Sequence, residues 1–168
     1  MTEMAAGSII STKDYLATTY RPDCEYVDGV VVERNVGEYD HGKLQAALII
    51  YFGSRRQELG IRAVPEQRVQ VSATRFRIPD VCVVLGEPDE QIFTKPPFIC
   101  VEILSCDDRL SEMRERVDDY LAFGVPYVWI VDPRKRIVYR CTEAGFLETR
   151  ELRTERPEIV VPLDALFD

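Results

Sequence analysis

The chain has 168 residues, 29 acidic and 21 basic side chains, and a formal charge of −8 at neutral pH. That length suits one domain, residues 1–168, able to bury a core without covalent staples. No apolar run approaches the roughly 20 residues of a membrane span, and the first residues lack the basic-then-apolar layout of a secretory leader, so a soluble, cytoplasmic protein with no membrane partner is expected.

Ser11 opens the first helical signal as the cap of Thr12-Lys13-Asp14, which continues through Tyr15 and Leu16. Residues 24–33 read as a hairpin, because Asp28-Gly29 separates two β-rich runs. From Asp40 the pattern changes: Leu44, Ala47, Leu48, Tyr51 and Phe52 recur at helical spacing until Gly60, a natural helix stop. Strands are predicted over about 62–71, 77–85 and 98–104, with the proline-bearing stretch 86–97 as a loop. Ser105-Cys106-Asp107-Asp108 has the character of a capping box. It precedes a helix in which Leu110, Met113, Val117, Tyr120 and Leu121 form one stripe and Gly124 the end. A strand over 125–131 follows, and strand, helix, strand in that order implies a right-handed parallel crossover beside 98–104. Asp132-Pro133 turns the chain into 137–140, and 146–167 supplies short strands and a closing turn.

Five cysteines, Cys24, Cys82, Cys100, Cys106 and Cys141, show no paired metal spacing and read as small buried hydrophobes in a reducing compartment. With His41 the only histidine, a zinc site is not expected. Tyr120, Tyr127 and Trp129 fall at core positions, whereas Phe93 and Tyr139 lie nearer loops and edges, where a ligand or a second subunit could meet them.

Asp80 and Glu102 break this ordinary pattern, since both stand inside apolar runs, Ile78-Pro79-Asp80-Val81-Cys82 and Cys100-Val101-Glu102-Ile103-Leu104. A carboxylate taken into a core costs several kcal/mol unless a cation or strong donors compensate it, and two together repel. A divalent cation resolves both problems, and hard ions such as Mg²⁺ or Mn²⁺ often take only one or two protein carboxylates. Glu66, on the strand before Asp80, is a third candidate ligand or an edge-strand polar residue. His41, beside Asp40 at a helix start, is a local structural residue or a weaker site candidate.

Arg77-Ile78-Pro79-Asp80, Val101-Glu102-Ile103-Leu104-Ser105, a helix ending Tyr120-Leu121-Ala122-Phe123-Gly124, and the strand Tyr127-Val128-Trp129-Ile130-Val131-Asp132-Pro133 occur together and in order. With Glu25-Tyr26-Val27-Asp28-Gly29 and the helix near His41-Gly42, they resemble the Uma-two family of restriction endonucleases over nearly the whole chain. That resemblance implies an α/β fold of the restriction-endonuclease-like type, with a mixed central β-sheet flanked by α-helices and the PD-(D/E)XK motif. It also implies that Asp80 and Glu102 hold the metal that activates water for phosphodiester hydrolysis. The motif's lysine would stand two residues after Glu102, where this chain has Leu104. In the resembling family a basic residue often comes instead from the next helix, four residues before the tyrosine, which is Arg116 here.

At about 100° per residue, Arg109, Arg116 and Tyr120 fall along one flank of that helix. Arg116 thus becomes a catalytic candidate as a phosphate fork, although it cannot serve as a base. The competing reading is an i,i+4 pair of Glu112 with Arg116. Glu25 matches a family position and is either a ligand or a brace for the hairpin. DNA is the expected substrate, and a homodimer whose second copy supplies DNA surface is a further alternative, since an acidic chain needs a local basic surface to bind DNA. The alternative is an inactive member of the fold that works as a protein-interaction or nucleic-acid-binding module.

Overall fold

The computed structural model describes residues 9–35, 37–106, 108 and 110–167. Ser11 caps helix α1 (Thr12–Ala17) as expected, its hydroxyl accepting the Asp14 amide at 3.0 Å. Strands β1 (Glu25–Val27) and β2 (Val30–Val32) form the predicted hairpin. Asp28 and Gly29 both take positive φ, 49° and 93°, as a tight turn of this kind requires. Helix α2 (Tyr39–Gly53) buries Leu44, Leu48 and Phe52. It stops before Gly60, at Ser54, and a separate short helix α3 (Arg56–Leu59) completes the stretch before Gly60 ends it in the left-handed region.

Two expected strands are each divided between sheets. Residues 62–71 supply β3 (Ile61–Pro65) and β4 (Val69–Ser72), separated at Glu66, whose φ is 51°. Residues 77–85 supply the end of β5 (Arg75–Arg77) and β6 (Val81–Leu85). The division falls at Ile78-Pro79-Asp80, where proline has no amide hydrogen for a ladder. The chain therefore crosses three times between a four-stranded sheet, β2-β1-β5-β4, and the main sheet, after β2, after β3 and after β5.

The main sheet continues with β7 (Ile99–Ile103), β8 (Tyr127–Asp132), β9 (Ile137–Thr142) and β10 (Gly145–Thr149), in the order β10-β9-β8-β7-β6-β3. Helix α4 (Leu110–Phe123) joins β7 to β8, which pair in parallel as predicted; the other ladders of this sheet are antiparallel. The helix starts later than the capping signal, because Asp108 instead accepts the Ser105 amide at 2.8 Å in a turn before it. Leu110 is exposed at 46%, so the buried stripe is Met113, Val117 and Tyr120. A two-stranded sheet, β11 (Glu151–Thr154) with β12 (Ile159–Pro162), and a 3-10 turn (Leu163–Ala165) close the chain.

Strand alternation gives the main sheet two apolar faces. Ile99, Val101, Ile103, Trp129 and Val131 pack with Leu44, Leu48 and Phe52 of α2 and with Leu152 and Val161 of the two-stranded sheet. Cys100, Leu104, Val128 and Ile130 pack with Met113, Val117 and Tyr120 of α4. Each large side chain fully buried here contributes about 1.5–3 kcal/mol, which fixes the sheet between its helices. Phe93 belongs to the second cluster at 5% exposure, and its carbonyl accepts the Gln70 amide, so it packs in the core and does not present a contact surface. Cys24, Cys82, Cys100 and Cys141 are buried as expected, but Cys106 is exposed. The small sheet has its own core of Tyr15, Tyr26 and Phe76. Among the described residues no helix is long and apolar enough to cross a membrane.

Candidate active site

Asp80 is the residue before β6, and Glu102 is the fourth residue of β7. The register pairs Val81 with Val101, so the next step along the antiparallel ladder sets Asp80 across from Glu102. Both are buried, at 5% and 1% exposure. The Asp80 main-chain carbonyl accepts from the Gln45 side chain at 2.8 Å and from the Glu66 amide at 3.2 Å, which fixes the backbone on both sides of the sheet crossing.

The Asp80 carboxylate is fully partnered. Its Oδ2 accepts the Ile103 amide at 2.7 Å, while Oδ1 meets Arg34 Nη2 at 3.1 Å and His41 Nε2 at 3.2 Å. Burial alone would raise its pKa, but the hydrogen bond and charge of His41, the Ile103 amide and Arg34 outweigh that and hold it below the ordinary value. His41 is raised in return, chiefly by its hydrogen bond to Asp80. Glu66 is not on a strand; its carboxylate, 53% exposed, lies 3.6 Å from Arg34 and braces that arginine.

Glu102 has a poorer environment. Its Oε1 accepts the Tyr120 hydroxyl at 2.6 Å, and Oε2 lies 4.0 Å from Arg116 Nη1, beyond hydrogen-bond range. Burial, then the neighbouring Asp80 charge, push its pKa well above the ordinary value against the pull of Arg116. Arg116 does come to the site from α4, as expected. Its ion pairs among the described residues are with Glu25 at 3.4 Å and Glu102, not with Glu112. Glu25, 0% exposed, accepts from Arg77 Nη1 at 2.9 Å, and Arg77 Nε donates to Asp119 at 2.7 Å. Arg109 lies outside the described residues.

Asp80, Glu102, Arg116, Glu25, His41 and Tyr120 thus converge from β1, α2, β6, β7 and α4. A recess of about 10 Å³ lined by Arg34, His41, Asp80, Ile103 and Arg116 adjoins a cleft of about 500 Å³ between the hairpin and α4, with Arg116 on both walls. The recess has about the room that one water requires. Arg34 was not among the residues the sequence singled out, and Arg77 entered only within the Arg77-Ile78-Pro79-Asp80 motif; the local signal for each is an arginine at the end of a β-rich run.

The donors suit a hard cation. Two buried carboxylates face each other, and among the described residues Glu102 Oε2 accepts no hydrogen bond, which is the demand that Mg²⁺-type ions meet with few protein ligands. No group of three or more potential His, Cys, Asp or Glu ligands exists among the described residues, so water and substrate oxygens would complete such a shell.

The Uma2 family model, described as "Putative restriction endonuclease", matches residues 13–167. The chain belongs to the Uma2 family. A crystal structure of a "putative nuclease belonging to DUF820" from Anabaena variabilis ATCC 29413 superposes with a TM-score of 0.79 at 20% identity, covering 94% of this chain and 97% of that one, and shows the same fold. A weaker likeness, TM-score 0.36 at 16% identity, is to the DrdV-DNA complex, where 74% of this chain aligns with 12% of the other. No curated protein matches the chain. The Uma2 assignment and the mixed sheet flanked by helices agree with the expected nuclease-like fold.

Proposed function

We propose that this Uma2 protein is a divalent-metal-dependent endonuclease that hydrolyses DNA phosphodiester bonds, with Mg²⁺ or Mn²⁺ held by Asp80 and Glu102. The observation that carries this is the pair of buried carboxylates facing each other across β6 and β7 beside a cleft walled by Arg116. When bound, the ion supplies an activated water and neutralises charge at the scissile phosphate. The chain's own groups do the rest. The Ile103 amide and Tyr120 hydroxyl orient the two acids, and Arg116 offers a permanently charged fork to a phosphate oxygen. Arg116 stands in for the lysine missing at Leu104, which is buried in the α4-side core, but only as an electrostatic partner. Cutting both strands of a duplex would suit a homodimer, checked by light scattering.

A second reading has its own support. Arg34 and His41 already neutralise Asp80, as an inactive scaffold that serves as a binding module would need. Calorimetric titration of Mg²⁺ and Mn²⁺ into wild type and Asp80→Ala, with plasmid nicking in the same buffers, separates the two. Binding and nicking confined to wild type support the nuclease. A folded wild type that binds neither ion supports the scaffold.

A further inference from the structure

Arg116 stands between two buried carboxylates and closes on neither. A guanidinium fork fits one carboxylate through two parallel hydrogen bonds, and Glu102, short of donors, is the obvious claimant. Such a pair would cancel the charge of Glu102 and occupy the fork. Instead Nη1 stays 4.0 Å from Glu102 Oε2, while Nε faces Glu25 Oε1 at 3.4 Å. Glu25 is completely buried, and that Oε1 is a carboxylate oxygen that accepts no hydrogen bond among the described residues. Its other oxygen is fixed by Arg77, which Asp119 of α4 holds in turn. An unsatisfied buried charge oxygen is costly, and its one evident use is the pull on Arg116.

We propose that Glu25 is a positioning residue for substrate phosphate: by drawing Arg116 through Nε, it keeps the fork from closing on Glu102 and leaves Nη2, with an Nη1 that among the described residues is held only by the weak Met113 Sδ acceptor at 4.0 Å, for a phosphate oxygen in the cleft. This rests on the reading of Arg116 as a phosphate clamp. The small sheet thereby takes part in the site, since β1 carries Glu25 and β5 carries Arg77.

Charge alone predicts the opposite of positioning, and this makes the proposal testable without turnover. Removing a negative group beside an anion site should tighten anion binding; if Glu25 positions Arg116, binding weakens. The experiment is titration of inorganic phosphate into the full chain with chelator present, followed by NMR, for wild type, Glu25→Gln, Glu25→Asp and Arg116→Gln, each checked for folding by thermal melting. Both Glu25 variants are expected to bind about tenfold more weakly than wild type, the loss of one charge-assisted contact, and Arg116→Gln to lose the site. Glu25→Asp keeps the charge and shortens the reach, so it carries the test if Glu25→Gln does not fold. Glu25 variants that bind phosphate as well as or better than wild type overturn the positioning role and leave the clamp standing. A wild type no better than Arg116→Gln overturns the clamp itself, and this inference with it.

Discussion

Asp80 and Glu102 oppose each other on one ladder and are similarly buried, but the protein treats them oppositely. Around Asp80 an amide, an arginine and a histidine converge within 3.2 Å, and its pKa falls. Around Glu102 the described residues bring one tyrosine hydroxyl and an arginine at arm's length, and its pKa rises. Burial by itself therefore does not set the cost of a core carboxylate; the donors brought by neighbouring elements do. The Asp80 half is compensated without a metal, so the demand for an added cation is concentrated on Glu102.

The largest expected effect breaks the compensated half. Asp80→Asn leaves the partly buried Arg34 with only the exposed Glu66 at 3.6 Å and the partly buried His41 without its counter-charge, and loss of such charged hydrogen bonds costs about 1.5–3 kcal/mol. Urea unfolding at pH 7 measures it. The folded-state pKa of Asp80 lies below its ordinary value of 3.8, so this stabilisation is present above that value and disappears as pH falls through the lower, folded one. Wild type and variant should then converge in acid. Equal urea midpoints at pH 7 would show that the basic side chains do not depend on Asp80.

The second prediction has the opposite sign. The folded-state pKa of Glu102 is raised above its ordinary 4.5, so stability present below that value is lost as pH rises through the folded one. Glu102→Gln should accordingly be more stable than wild type at pH 8 in chelator, by about 1–2 kcal/mol. Under the metal reading the order inverts in Mn²⁺, because an ion at 100 times its Kd stabilises wild type by about 2.7 kcal/mol. Destabilisation of the variant in chelator would mean that Glu102 is better compensated than its contacts indicate.

This asymmetry also marks how far the sequence could be read. The hairpin at Asp28-Gly29, the Leu44, Leu48 and Phe52 stripe, and the parallel pairing across α4 were legible because each depends on neighbours in the chain. The division of 62–71 and 77–85 between sheets was not, since one long strand and two short ones share the same apolar alternation; Pro65 and Pro79 were the only marks of the breaks. Asp80 and Glu102 stood out as charges in apolar runs, and the resemblance to Uma-two pointed to Arg116. Arg34 and Arg77 did not stand out, for their acidic partners lie 46 and 52 residues away. Long-range pairing decides which acid is compensated, and local pattern carries no record of it.

The smallest effect sharpens the Glu102 half. Tyr120 is completely buried, and its hydroxyl donates to Glu102 Oε1 at 2.6 Å. Tyr120→Phe removes the bond without altering the ring packed among Met113 and Val117. A hydrogen bond to an ionised acceptor is worth about 1.5–3 kcal/mol and a neutral one about 1, so the loss should be greater at pH 8, where a larger fraction of Glu102 is ionised, than in mild acid. In the Glu102→Gln background the acceptor is neutral at every pH, and the pH dependence of the loss should vanish. The cycle of the two single variants and the double variant isolates that difference as a coupling of about 1 kcal/mol. A coupling near zero at pH 8 would mean that Glu102 is protonated there and that the uncompensated half of the site has already resolved its charge by holding a proton.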